Sequence, residues 1–502
     1  VAHEEPSESL DDILSGDLKK PEKKIIHDEI VDDDAPAATP PEAQWVSEAD
    51  KVVLERLKAH PPTDLGAAEH LVIRHGDDMR YVAELGWHAW DRTRWSGQHG
   101  VHLVNRMAAE LTRHMGQVLV TAPDSTDFKP FRSYWNVAGN RIDRIVHRAA
   151  DHPNILTGPE AFDSDTMLFN CRSGTLDFNT LSHRAHRRSD LITKMSPIKY
   201  DATAKCVRFR EFLAQIFEPH PDIINYIQKA IGYSMTGVIR EHALFICYGP
   251  SAQNGKTTLL ETFRNIMGDY GATTNAANFM QGKAGRFDSA DIVGARFVEA
   301  SEIDKTDQLS ISLIKRITGG DKIRVEKKFK DSFEYQPQCK VFIRTNRLPQ
   351  IKDGSDKGIW VRMKVIPFDV HFTDEAKDPL LPEKLKREYE GIFAWMIEGA
   401  FRYMSEGLGE PPQVIKQALQ DYAEDSNPFQ RFMREECEFE TTARAEKKSF
   451  YVRYVKWSEQ NSLPILDKKG VEDQLWSRGV VWGKKFHSGT LYYYEGVRIY
   501  GP

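Results

Sequence analysis

The 502-residue chain has no run of 18 or more apolar residues, so no segment reads as a helix spanning a bilayer. It opens at Val1 on acidic residues, without the basic-then-apolar layout of a secretory signal. Cysteine is scarce: Cys171, Cys206, Cys247, Cys339 and Cys437 are scattered, with no CxxC pair. That argues against a zinc ribbon and a disulfide framework and points to a reducing cytoplasm. Residues 1–44 are poor in aromatics and carry a DDD run and the proline-rich APAATPPEA, too little apolar surface to repay the entropy of ordering. They read as a disordered acidic linker. A linker behind a first residue of Val suggests a piece of a longer chain with another domain upstream. Net basic charge is also missing, at −6 overall, but the balance is uneven. Residues 1–50 hold 15 acidic and 4 basic side chains, so the other 452 carry +5, which is compatible with a nucleic-acid partner.

What is present amounts, by length, to about three domains. Residues 45–205 are expected to form a mixed α+β domain. Val52, Leu54 and Leu57 recur at helical spacing, as do Val101, Val104, Met107, Ala108 and Leu111. Between them RYVAELGWHAWDRTRWSG shows hairpin-like turns and sets Trp87, Trp90 and Trp95 beside Arg80, Arg92 and Arg94. Core packing is the expected use of these rings, with base stacking the alternative. Asp163-Ser-Asp165 has the form of a metal-binding carboxylate pair, but only Phe162 precedes it, and turn chemistry explains it more simply. No polymerase site is read there.

From residue 206 to 408 a different pattern takes over. Residues 206–240 read as helical, and ALFICYG (Ala243 to Gly249) then forms a continuous apolar run suited to a central parallel strand. GPSAQNGKTT follows, and Leu259, Leu260, Phe263, Ile266 and Met267 continue at helical spacing toward Gly268 or Gly271. A strand, a glycine-containing loop and Gly-Lys-Thr at a helix start are the context a phosphate-binding loop requires. Its backbone N–H groups can cradle phosphates, Lys256 neutralise them, and Thr257 ligate Mg²⁺, so Asn254, Gly255, Lys256, Thr257 and Thr258 are the candidate ATP contacts. Five residues separate Gly249 from Gly255, one more than the usual spacing, which leaves Gly249 the doubtful member. ARFVEASE offers an acid on a second strand: Glu302 at its end, with Glu299 competing and Asp304 third. KVFIRTN ends a third strand on Asn346, placed to orient water or meet a γ-phosphate. GIWVRMKVIPF reads as a fourth strand carrying Arg362, an arginine-finger candidate for a neighbouring subunit. Between these, LIKRITGGDKIRVEKKFKDSFEYQ predicts a helix stopping at Gly319-Gly320. A partly alternating segment follows, bearing Lys322, Arg324, Lys327, Lys328 and Lys330. It suits a basic hairpin following a phosphate backbone, or else a solvated edge strand.

The stretches NGKTTLLE, GARFVEASE, LIKRITGGDKIRVEKKFK, KVFIRTNRLPQI and GIWVRMKVIPF, in that order, resemble the superfamily III helicases of phage and plasmid primase-helicases, related to the poxvirus helicase-primase. The likeness extends upstream through RYVAELGWHAW and LFNCRSGTLDF and covers most of residues 70–460. It implies an α/β, AAA+-type P-loop ATPase that forms a homo-oligomeric ring, usually a hexamer, around single-stranded DNA, with ATP and Mg²⁺ as cofactors. By similarity Lys256 and Thr257 are the Walker A residues, Glu302 the Walker B acid, Asn346 sensor 1 and Arg362 the finger. Lys322, Lys327 and Lys328 match the DNA-touching hairpin best. The chain departs from the family in its longer loop and in Val361-Arg362, where two arginines are common after the Trp.

Residues 411–502 read as a separate domain: helices near Val414–Tyr422 and Phe429–Cys437, then a strand-like TLYYYEGVRIY, suggesting a winged helix whose wing is KKFHSGTLYYY or an ordinary hairpin there. The expected function is an ATP-dependent DNA helicase for phage or plasmid replication in the host cytoplasm, acting on single-stranded and forked DNA and belonging to a primase-helicase. The alternative is a replication initiator or DNA-binding scaffold that uses ATP only to assemble. A small-molecule kinase explains neither the basic hairpin nor Asn346.

Overall fold

A computed structural model describes residues 48–136, 141–282, 292–301, 303, 307–325, 333–351, 356–461, 463, 465–476, 478–486 and 490–500. The 1–44 linker and Glu302, Asp304, Lys327, Lys328 and Lys330 lie outside these residues.

The first part packs helices Glu48–Lys58, Asp64–His75 and Gly100–Thr121 around one apolar core from Leu54 to Ile155. Val104, Ala108, Leu111, Met115 and Val118 recur every three or four residues along the long helix and are its buried stripe. Val101, expected on that stripe, is exposed instead. The aromatic stretch folds into antiparallel strands Met79–Val82, Gly86–Trp90 and Trp95–Ser96. Trp87 and Trp95 are buried, and the Arg80 guanidinium lies 5.2 Å from the Trp95 ring, so these rings pack inward. The Asp165 carboxylate accepts the Met167 N–H two residues on, which is turn chemistry, whereas that of Asp163 accepts from the distant Thr193 and ties two segments together. A second antiparallel sheet, Leu168–Cys171, Gly174–Asp177 and Ser182–Arg184, shares its core with helices Val207–Ile216 and Asp222–Met235.

Those helices lead into a five-stranded parallel sheet of β1 (Leu244–Tyr248), β2 (Gly271–Asn275), β3 (Phe297–Ser301), β4 (Lys340–Thr345) and β5 (Met363–Pro367). Its spatial order is β5-β1-β4-β3-β2. Helices cover both faces, so β1 and β4 are buried nearly throughout rather than on alternate residues. Helix α1 (Lys256–Met267) connects β1 to β2 at the far edge, and β4 enters between β1 and β3. The carboxyl ends of β1, β4 and β3 therefore stand side by side, where open α/β sheets place their ligands.

Helix α2 (Ile311–Gly319) ends with Gly320 in a left-handed conformation. Next comes an antiparallel hairpin, Ile323–Val325 against Phe333–Tyr335, with Ile323 and Val325 buried and Arg324 exposed between them. The expected strand through Arg362 is a correction: Lys357–Arg362 is a short helix, α3, and β5 starts only at Met363. Asp356 caps α3, its side chain accepting the Gly358 N–H at 2.8 Å.

Helix Gln413–Asp425 packs on the sheet region through Ile415 and Tyr422. Beyond it, helix Pro428–Glu436, strand Cys437–Glu446, helices Lys447–Gln460 and Lys468–Trp476, and strands Val481–Phe486 and Thr490–Ile499 surround a core of their own. The three strands are antiparallel with Thr490–Ile499 in the middle. Among the described residues no helix is long and apolar enough to cross a membrane.

Candidate active site

The loop between β1 and α1 is built by its own polar groups. Asn254, 3% exposed, donates through Nδ2 to the carbonyls of Ser251 at 3.0 Å and Phe368 at 3.2 Å, fixing the loop to the segment after β5. The Phe372 N–H bonds Gln253 O at 3.1 Å and adds a second staple. Gly249, doubtful by spacing, has a steric requirement here. A Cβ on it would lie 2.3 Å from Asn254 Nδ2 and 2.5 Å from Phe368 O. The additional residue is absorbed as the loop turns back over Gly249, with Gln253 and Gly255 at positive φ. Gly255 also has helix Val207–Ile216 against it: a Cβ there would come within 2.5 Å of Ile216 Cγ2 and 3.1 Å of Phe212 Cε2.

Lys256 opens α1 almost fully buried, its Nζ donating to Gly249 O at 3.0 Å and Ser251 O at 3.4 Å. Burial, with the Arg344 guanidinium nearby, pulls its pKa from the ordinary lysine range to about 8. Thr257 is exposed beside it. Both residues border a cavity of about 590 Å³ that Asn254, Ser301 at the end of β3, and Arg344, Thr345, Asn346 and Arg347 at the end of β4 also line. The structure thus brings Lys256, Thr257, Asn254 and Asn346 together. Thr258, one turn-step further along α1, is not among the lining residues. The described lining contains three cations, Lys256, Arg344 and Arg347, and no carboxylate, a composition suited to a polyanion.

Sequence reasoning missed Arg344. Its Nη1 donates to Thr257 Oγ1 at 2.6 Å and its Nε lies 3.2 Å from Glu299 Oε1. Glu299 is 3% exposed, faces Arg264 as well as Arg344, and does not line the cavity. Burial pushes its pKa up, while the two guanidiniums pull it back. The signal for this pairing is an arginine directly after the apolar run Val341–Ile343, two residues before Asn346.

Arg362 is not among the cavity residues. Its Nε donates to Thr318 Oγ1 at 3.2 Å and its Nη1 to Gly358 O at 2.9 Å. Lys322 Nζ, on the hairpin, lies 3.6 Å from Glu334 Oε2, and Arg324 pairs in register with Glu334. Among the described residues no cluster of His, Cys, Asp or Glu could hold a metal by itself.

Residues 68–218 match the family described as D5 N terminal like, and residues 247–362 match a family of unknown function, DUF5906. The chain is 26% identical over 319 residues to "Putative helicase L207/L206" of Acanthamoeba polyphaga mimivirus, covering 58% of this chain and 32% of that protein. It is 26% identical over 233 residues to "Putative helicase 121R" of Invertebrate iridescent virus 3, covering 44% of this chain and 24% of that protein. It therefore spans a third or less of these relatives. Among solved structures, the apo NrS-1 C-terminal region aligns at 13% identity and a TM-score of 0.45, covering 71% of this chain and 89% of that one. The chain is thus similar to viral proteins named putative helicases, and its own fold is mixed α/β with a parallel sheet. Its upstream part, residues 68–218, carries the likeness to the D5 N terminal like family.

Proposed function

We propose that the chain is the motor of an ATP-driven DNA helicase of superfamily III, with an AAA+-type P-loop core, working as a homo-oligomeric ring, a hexamer by family resemblance, on single-stranded DNA in the host cytoplasm. The observation that carries this reading is the cationic cavity at the carboxyl ends of β1, β3 and β4, where Lys256, Thr257 and Asn346 meet. A triphosphate entering it replaces the Gly249 and Ser251 carbonyls as partner of Lys256, while N–H groups at the start of α1 face its oxygens. Asn346 orients the attacking water. Arg362, tied inside its own subunit to Thr318 and Gly358, acts on the ATP of a neighbour.

The donors present fit Mg²⁺ that arrives with nucleotide: the Thr257 hydroxyl lies at the start of α1 on the cavity wall, with Glu302 the proposed carboxylate partner. Bound there, Mg²⁺ supplies neutralisation of charge on the transferring phosphoryl group. The hairpin bearing Lys322 and Arg324, continued by Lys327 and Lys328, follows the DNA backbone. The helix–strand–helix–helix–strand–strand order from Pro428 to Ile499 supports a winged-helix reading of the C-terminal part. Residues 45–205 serve as the helicase-associated domain.

Strand displacement on a forked duplex tests the reading. The chain is expected to open the duplex with ATP and Mg²⁺, and Lys256→Ala to abolish opening. ATP hydrolysis without opening would favour an ATP-regulated initiator or scaffold.

A further inference from the structure

The Arg344 guanidinium occupies a position that none of the motif residues accounts for. It donates to Thr257 Oγ1 at 2.6 Å while its Nε faces Glu299 at 3.2 Å. The other Glu299 oxygen faces Arg264 Nη1 at 3.4 Å. Thr257 and Arg264 belong to α1, Glu299 to β3 and Arg344 to β4, so one buried carboxylate ties three elements around one hydroxyl. That hydroxyl is also the group assigned to the divalent cation in the proposed ATP site. A guanidinium and a dication cannot share one hydroxyl oxygen at contact distance without strong repulsion in a partly dry cavity.

Resting on the ATP reading, we propose that Arg344, aimed by Glu299, is a positioning residue that competes with the divalent cation for Thr257 Oγ1. Metal–nucleotide entry requires the guanidinium to let go of the hydroxyl. Arg344 lines the same cavity as Lys256 and Asn346, so letting go of the hydroxyl does not take it out of the site. Glu299 holds one edge of the guanidinium throughout and limits where the other can reach.

The test is binding of a fluorescent ATP analogue to the full chain, titrated with Mg²⁺ at fixed analogue. It compares the wild type with Arg344→Ala, Arg344→Lys, Glu299→Gln and Lys256→Ala. Arg344→Ala is expected to lower the Mg²⁺ midpoint about tenfold, the order of one charge-assisted hydrogen bond. Arg344→Lys keeps the charge but cannot bridge hydroxyl and carboxylate together, and shifts the midpoint partway. Glu299→Gln shifts it in the same direction. A midpoint that stays put or rises in these variants overturns the competition, and if Arg344→Ala does not fold, the other two decide. Tight wild-type binding with an unmoved midpoint removes only the competition. Wild-type binding no better than that of Lys256→Ala removes the ATP reading, and the competition with it.

Discussion

At the carboxyl end of the parallel sheet Lys256 is 4% exposed and holds the carbonyls of Gly249 and Ser251; at the amino end Lys340 is 2% exposed and holds those of Thr236 and Gln338. Burial depresses the proton affinity of both. The difference lies in what surrounds each ammonium. The Lys256 carbonyls belong to a loop bordering a cavity, so an incoming anion can replace them. Lys340 Nζ lies 4.4 Å from the Tyr233 ring, and next to it Arg296, also buried, donates to Met235 O and stacks over Tyr270. Its partners are permanent. A buried lysine with a lowered pKa is thus no mark of function alone; access to a replaceable partner separates the two.

The largest expected effect sharpens that contrast. Lys256→Ala should reduce ATP hydrolysis by at least about 100-fold, the scale of removing a charge-stabilising donor, while thermal unfolding stays unchanged or rises. A parallel loss of stability would make Lys256 a second Lys340. Next, Lys340→Met should lower the unfolding free energy by about 1–3 kcal/mol, because Thr236 O and Gln338 O lose their donor. Denaturant titration reads this, and ATP-analogue binding should not change. A loss of binding would break the comparison from the other side.

The pH dependence follows from the same depression. Below pH about 8 Lys256 is protonated and analogue binding should be flat; above it the ammonium is lost and affinity should fall, by at most about tenfold per pH unit for one proton. Stability moves oppositely. With both folded pKa values below the unfolded one, the unfolded chain binds more protons in that window, so these lysines make stability rise toward pH 10.5. Lys340→Met should flatten the rise. The smallest effect belongs to a lysine without burial. Lys322 is paired with Glu334 at the surface, and Lys322→Ala should reduce the salt dependence of single-stranded DNA binding by about one unit of slope. Its unfolding free energy should shift by less than about 0.5 kcal/mol.

How much of this was legible depends on whether the cause was local. Lys256, Thr257 and Asn254 could be read because loop and helix start are contiguous, and Asn346 because it ends an apolar strand. The Glu299–Arg344 pair could not, since it depends on β4 entering beside β3, with Phe342 opposite Glu299, and strand order is not written in any one segment. GIWVRMKVIPF is apolar enough to read as a strand through Arg362, while the Asp356 cap just before it is the local sign of a helix. Spacing alone makes Gly249 doubtful, whereas the space it leaves is set by Asn254 returning over it and by Phe368, more than a hundred residues later.

The contact between Gly255 and helix Val207–Ile216 leaves no gap on that side of the loop. A loop pressed against a helix without slack cannot change its curvature alone. A rearrangement of the loop would press on Phe212 and Ile216, and these share their core with Phe169 and Leu176 of the antiparallel sheet upstream. The region before the parallel sheet is therefore packed directly behind the loop, and a spectroscopic probe on that helix is expected to register events in the cavity without touching it.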